Sequence, residues 1–235
     1  MTIQDNISQI RRRMARAAEA AGRDPKEILL CAATKTQDAD AVRQAIAAGV
    51  DCCGENRVQE LTAKEACQAY AGAPVHFIGR LQTNKVRQVV GHVSLIQSVD
   101  RLRLLEQIQK EALSRDICQD ILLEINIGRE ESKAGFLPEE LPPVLENIGS
   151  FTHVRVRGLM AIPPVSEKPG GNCKFFQEMH NLSVDIREKK YDNVSVGIVS
   201  MGMTDDFEDA IAFGSTMIRV GSGIFGPRDY AKPHP

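Results

Sequence analysis

"ILLCAATKTQDADAVRQAIAAGVDCCGEN", residues 28–56, is the stretch whose reading decides the fold. It opens with an apolar and small run, Ile28–Thr34, passes through helical spacing over 38–48, and returns to an apolar run at Val50–Cys53. A strand, a helix and a second strand in that order predict parallel pairing, because the crossover must bring the chain back to the same edge. The first run ends on a lone lysine, Lys35, between Thr34 and Thr36. Either that ammonium marks where the strand meets water, or something beyond the strand end needs an amine.

The same unit recurs outward from this stretch. Strand-like runs follow at Val75–Gly79, Val93–Gln97, Ile121–Ile127, Val154–Met160, Val194–Val199 and Met217–Val220, making eight in all. Helical spacing fills 56–70, 82–90, 101–114, 138–148, 172–189 and 205–213, and one further helix over 5–21 precedes the first strand. Eight alternating units predict an α/β chain folded as a (β/α)8 TIM-type barrel with an extra N-terminal helix. An open doubly wound sheet is the alternative. Only a short tail, 222–235, follows the eighth run, so the first helix is expected to cover the flank an eighth helix would fill. No linker, repeat or low-complexity stretch divides the chain, and residues 1–235 are read as a single domain. The segment "IPPVSEKPGGN" (162–172) is expected to be the most mobile, since Pro and Gly exclude regular structure.

Composition excludes several classes. The chain is 43% hydrophobic and 26% charged, as in ordinary soluble globular proteins. A net charge of −2 gives no general electrostatic reason to bind nucleic acid or an anionic membrane. No run approaches the ~18 apolar residues of a membrane span. The amino terminus lacks the apolar core of a signal peptide and carries Asp5 and Glu19, so a cytoplasmic protein is expected. Six cysteines are scattered without a CxxC pair. Cys31, Cys52 and Cys53 fall in strand-like segments and are expected to be small buried hydrophobes, with the thiols reduced. His76, His92, His153, His180 and His234 show no metal-ligand spacing, and none is assigned a site.

A barrel gathers functional groups just past the carboxyl ends of its strands. Those positions hold Lys35, then Gly54, Glu55 and Asn56, then Gly79 and Arg80, then Met160, "SMGM" (200–203) and "GSG" (221–223). Phosphate frequently binds after strands 7 and 8. There Gly202, Gly221 and Gly223 let backbone N–H groups approach an anion, and Ser200 and Ser222 add hydroxyl donors. Asp205 and Asp206 suit a helix amino terminus but repel an anion, which places the phosphate on the loop amides instead. In a closed barrel strand 8 adjoins strand 1. An amine at Lys35 facing a phosphate cup points to imine chemistry with a phosphorylated aldehyde. Arg219 interrupts "MIRV", where a buried guanidinium needs a partner. Opposite a pyridine nitrogen it would donate a hydrogen bond, keep its proton and leave the ring a weak electron sink.

Blander readings stand beside these. A strand-end lysine is ordinarily solvated, an isolated GSG ordinarily ends a strand, and Arg219 could be a structural ion-pair residue. Asn56 could simply cap a helix. Lys85, Arg87 and Lys133 are read as members of solvated faces.

Taken in order, "AATKTQ" (32–37), "CCGENRVQE" (52–60), "HFIGRLQTNKVR" (76–87), "NIGREESKAGF" (126–136), "RGLMAIPP" (157–164) and "SMGMTDDFEDAIAFGSTMIRVGSGIFGPRDY" (200–230) resemble the pyridoxal phosphate homeostasis proteins, relatives of the barrel domain of alanine racemase. The resemblance implies that Lys35 holds pyridoxal 5′-phosphate as a lysine Schiff base. It implies Arg219 at the pyridine nitrogen, Asn56 beside the ring, and Ser200, Gly221 and Ser222 at the phosphate. "GSG" departs from the family's more usual Gly-Thr-Ala but keeps the hydroxyl, and "CC" in "DCCGEN" departs from "FGEN". Two functions compete: a carrier supplying the cofactor to apo-enzymes in vitamin B6 homeostasis, and an amino-acid racemase. A class I aldolase is a third, weaker reading. Two-base racemisation needs an acid/base on each face of the α-carbon. Of three tyrosines, Tyr70 is read as lying in a helix leading away from the site and Tyr191 as lying on the opposite face, leaving Tyr230 in the tail. The carrier is favoured, without robust catalysis, and a monomer is expected.

Overall fold

The computed structural model describes residues 1–166 and 168–227. Eight parallel strands close into a barrel in chain order: β1 (Leu29–Ala33), β2 (Cys52–Glu55), β3 (Val75–Phe77), β4 (Leu95–Val99), β5 (Gln119–Ile125), β6 (Val154–Ala161), β7 (Val194–Ser200) and β8 (Met217–Val220). The ring is completed by β8 against β1, with Leu29 beside Met217 and Cys31 beside Arg219. Around it lie α1 (Ile3–Ala20), α2 (Ala39–Ala47), α3 (Val58–Ala66), α4 (Leu102–Ser114), α5 (Leu141–Glu146), α6 (Cys173–Lys189), α7 (Phe207–Ala212) and α8 (Ser222–Phe225). The strands are nearly continuous apolar runs because helices cover one face and the lumen's own side chains cover the other.

The first helix closes the flank as expected. A capping box between Thr2 and Asp5 starts it, and Ile7, Ile10, Met14 and Ala18 form one buried stripe. That stripe packs on Leu30 and Ala32 of β1, Ile218 and Val220 of β8, and Phe207 and Ile211 of α7. Asn6 donates to the carbonyl of Ile224 in α8 at 2.8 Å, which ties the chain's first helix to its last.

Three boundaries differ from the sequence reading. Strand β2 runs on through Gly54 and Glu55, because Ala33 pairs with Gly54 and Glu55 with Phe77. Glycine and glutamate are poor strand formers, which hid the extension. The segment read as a helix over 82–90 is a 3₁₀ turn, Thr83–Gln88. The one over 138–148 is a short α5 between two 3₁₀ turns, with Pro142 and Pro143 in its first turn, where a missing N–H is tolerated. Among the described residues no helix is long and apolar enough to cross a membrane.

Inside the barrel two small apolar groups, Cys31, Cys52 and Met217 on one side and Leu95, Leu122 and Met160 on the other, meet at Ile198. The strand-6 backbone presses against its neighbour at Gly158, where a Cβ would lie 1.8 Å from the carbonyl oxygen of Ile198.

Candidate cofactor site at the carboxyl ends of the strands

Register decides what the strand ends bring together. Ala32 pairs with Val220, and a Cβ on Gly221 would lie 3.5 Å from the Cβ of Ala33. The chain therefore leaves β1 toward Lys35 beside the point where it leaves β8 into Gly221–Gly223. Cys31 faces the lumen, and side-chain direction alternates along a strand, so Ala33 falls on the lumen side as well; Lys35 follows in the turn two residues beyond the end of β1. Lys35 is half-buried.

The backbone on both sides of Lys35 is held by α3. Lys64 donates to the carbonyl of Thr34 at 2.7 Å and to Glu55 Oε1 at 2.7 Å. Thr34 Oγ1 and Tyr70 Oη donate to that same carboxylate oxygen, at 2.5 and 3.2 Å. On the other side, Glu60 Oε2 accepts the Thr36 N–H at 2.7 Å. Thr36 has φ = 65°, in the left-handed region where a β-branched side chain is strained. Such a conformation costs roughly 1–3 kcal/mol and persists when its surroundings over-determine it. Here a carboxylate behind the turn does so. The sequence reading placed Tyr70 in a helix leading away from the site. It lies instead just past α3, with its hydroxyl on Glu55, and burial beside that carboxylate pushes the phenol up.

Asn56 follows β2 directly, and its side-chain oxygen is buried without a partner among the described residues. Its backbone is fixed by Gly79, where a Cβ would fall 2.1 Å from the Asn56 carbonyl oxygen. On the phosphate side, Thr204 Oγ1 lies 3.1 Å from Ser222 Oγ and accepts the N–H of Gly223 at 3.2 Å. Gly202 has φ = 91°, and a Cβ there would meet the Cβ of Ala210 at 2.6 Å. A cup of small residues and hydroxyls thus lies next to the lysine-bearing strand end.

Arg219 is buried in the lumen. Its guanidinium donates to Ser200 Oγ at 2.7 Å and to the carbonyl of Ala161 at 2.9 Å. Ser200 passes the chain on, donating to Gln97 Oε1 at 2.7 Å. The hydroxyl expected on the phosphate is thus turned inward, onto Arg219 and Gln97. Burial pulls the Arg219 guanidinium below its ordinary range, opposed first by Cys31 and then by the nearby carboxylates of Glu124 and Asp206. Glu124 itself is raised to about 7, by burial first and by repulsion from Asp100 second. At that value a large fraction is protonated near neutrality, so Arg219 lacks a full counter-charge there. Glu124 was passed over in the sequence, although a glutamate inside "ILLEIN" signals an inward-facing polar group.

The remaining candidates disperse. Lys133 forms an ion pair with Glu130 at 2.5 Å and donates to the carbonyl of Pro163 at 3.2 Å, a local loop clamp. Lys85 lines a shallow cleft with Asn56, Arg57 and Arg80. Tyr191 lies between α6 and β7, at the amino end of the barrel. Tyr230 and His234 lie outside the described residues.

The alanine racemase N-terminal domain family matches residues 3–229. The pyridoxal phosphate homeostasis protein of Pseudomonas aeruginosa is 38% identical over 232 residues, 99% of this chain and 98% of that one. That of Escherichia coli K12 is 38% identical, with 98% of each chain covered. PipY of Synechococcus elongatus, solved with PLP bound, superposes with a TM-score of 0.83 at 30% identity, covering 96% of this chain and all of that one. An alanine racemase of Clostridium difficile shares the fold, with a TM-score of 0.72 at 16% identity, and this chain spans 57% of its length. The chain belongs to the pyridoxal phosphate homeostasis protein family, within the wider family of alanine racemase N-terminal domains.

Proposed function

We propose that this protein binds pyridoxal 5′-phosphate at the carboxyl end of the barrel and serves as a cofactor reservoir that supplies apo-enzymes, without robust catalysis of its own. The observation that carries the reading is the register of β1 on β8, with the Lys35 and Gly221–Gly223 strand ends adjacent and Arg219 beneath them. The residues fit the group. Asn56 offers a buried oxygen without a partner among the described residues for the ring's polar substituents, and Thr204, Ser222 and the glycine turn offer donors to a phosphate. Lys35 is the anchoring amine in this reading, and Ser200 serves the cofactor indirectly by orienting Arg219. PipY, the relative with PLP bound, supports it at 30% identity.

When bound, the cofactor supplies an aldehyde for a lysine amine and a pyridine ring that withdraws electrons once its nitrogen is protonated. Arg219 keeps its own proton at every accessible pH. A guanidinium at the ring nitrogen therefore donates a hydrogen bond without transferring a proton, and the ring's withdrawing power stays low. No tyrosine among the described residues supplies a second base at the strand ends: Tyr70 is committed to Glu55 and Tyr191 lies at the other end. Both facts favour holding over turnover. A racemase is the second reading, favoured only by the shared barrel.

The test uses purified, cofactor-loaded protein. The reading expects transfer to an apo-enzyme faster than release into solution, and racemisation of common amino acids no faster than with free pyridoxal phosphate. Racemisation well above that background would replace the carrier by the enzyme.

A further inference from the structure

Below the cofactor site, the lumen holds a second cluster that this reading leaves unused. Cys31 and Cys52 are direct register partners on β1 and β2, and His76 stands next to them on β3. One sulfur from each cysteine and one ring nitrogen of the histidine all lie within 4.8 Å of one another, and all three residues are more than nine-tenths buried. Cys52 Sγ is 3.4 Å from His76 Nδ1. Tetrahedral coordination with metal–sulfur bonds of about 2.3 Å and metal–nitrogen bonds of about 2.0 Å sets ligand atoms roughly 3.5–3.8 Å apart. The observed spacing needs only small side-chain adjustments to reach that geometry. Histidine spacing in the sequence gave no hint of this, because the three ligands come from three strands and are brought side by side only by strand pairing.

The surroundings suit a soft cation. Gln97 Nε2 lies 2.9 Å from His76 Nδ1, which assigns Nδ1 as an unprotonated acceptor, as a metal ligand must be, with Cys52 Sγ 3.4 Å from the same nitrogen. Met217, packed against both cysteines, accepts from the same amide nitrogen through its thioether at 3.2 Å. Two thiolates and an imidazole, with a thioether at hand, select thiophilic d10 ions over hard cations. A zinc dication displaces two thiol protons, and the resulting site is neutral. It therefore adds no net charge to the lumen that already holds Arg219.

We propose that Cys31, Cys52 and His76 form a buried site for a thiophilic metal ion, zinc or copper(I), in the barrel lumen beneath the cofactor site. It stands on residues the cofactor reading does not use, so either can fail alone. Nδ1 leaves Gln97 when it binds metal, and Gln97 is hydrogen-bonded through Ser200 to Arg219. The two sites are thus linked by one chain of side chains.

The experiment loads the full-length protein anaerobically, with a phosphine reductant, using zinc in one arm and copper(I) in the other. Each arm is passed over a desalting column with a weak chelator and its metal content measured. One equivalent per chain is expected in at least one arm, and the arms identify the ion. Loss to background is expected in Cys31→Ser/Cys52→Ser and in His76→Gln, with no change in Cys67→Ser or Cys118→Ser, whose thiols are exposed. Should the core variants fail to fold, X-ray absorption on the loaded wild type decides, and two sulfur ligands at about 2.3 Å with a nitrogen shell are expected. Retention in neither arm, retention unchanged in the folded variants, or an absorption spectrum without sulfur ligands would each overturn the site.

Discussion

Glu124 is where a single residue's physics gives the sharpest prediction. Its folded pKa of about 7 stands above the ordinary 4.5, so the folded state binds this proton more tightly than the unfolded chain. The stabilising contribution is full below pH 4.5, declines as pH rises, and is gone above about 7. The span corresponds to a loss on the order of 3 kcal/mol. Glu124→Gln should flatten the stability profile between about pH 5 and 7 and raise stability at pH 8 by on the order of 1–3 kcal/mol, read by urea unfolding. A profile unchanged by the substitution would show that the carboxyl is not held neutral. Gly79→Ala tests a different constraint. A methyl placed 2.1 Å from the Asn56 carbonyl oxygen must displace the Asn56 loop, so cofactor affinity should fall while Ala at Gly197, which meets nothing within 4 Å, leaves it unchanged.

At the scale of elements, α3 and the turn after β1 act together. Lys64 is the cation between Glu55 and Glu60 and holds the Thr34 carbonyl. Removing one partner from a buried ion pair costs about 3–5 kcal/mol, because the remaining charges lose compensation. Lys64→Met should destabilise by that order in urea unfolding, and Lys64→Met/Glu55→Leu should recover part of it. If the two substitutions add without recovery, Lys64 and Glu55 are not coupled as described. This network also marks how far the sequence could be read. Strand β1 and its lysine were legible, because an apolar run ending in a charge is a one-dimensional pattern. The clamp was not. Glu55, Glu60, Lys64 and Tyr70 look like an ordinary polar helix and its flank until β2 is seen to continue through Gly54 and Glu55. Arg219 was legible as an out-of-place charge in "MIRV", whereas its bond to Ser200 crosses between strands and leaves no trace in spacing. The inward turn of the Ser200 hydroxyl could not be foreseen for the same reason.

For the whole molecule, closure of the barrel by α1 and the seam between β8 and β1 set both stability and site. Met14 is buried in the stripe that covers that seam. Met14→Ala should cost about 2–5 kcal/mol, measured as a lower urea midpoint, and should weaken cofactor binding by loosening the seam. Loss of binding without loss of stability would separate the two. Alternation of strand and helix predicted the barrel because each unit is local, and the first helix's role followed from the flank left open after the eighth strand. The cluster of Cys31, Cys52 and His76 became visible only in the closed ring. The account's central claim is that the Lys35 amine, beside the Gly221–Gly223 turn, is the cofactor's anchor. The most direct test is borohydride reduction of the pyridoxal-phosphate-loaded protein followed by peptide mapping. The account predicts a single stable adduct on Lys35, absent in Lys35→Ala; an adduct mapped to another lysine, or undiminished in that variant, would contradict it.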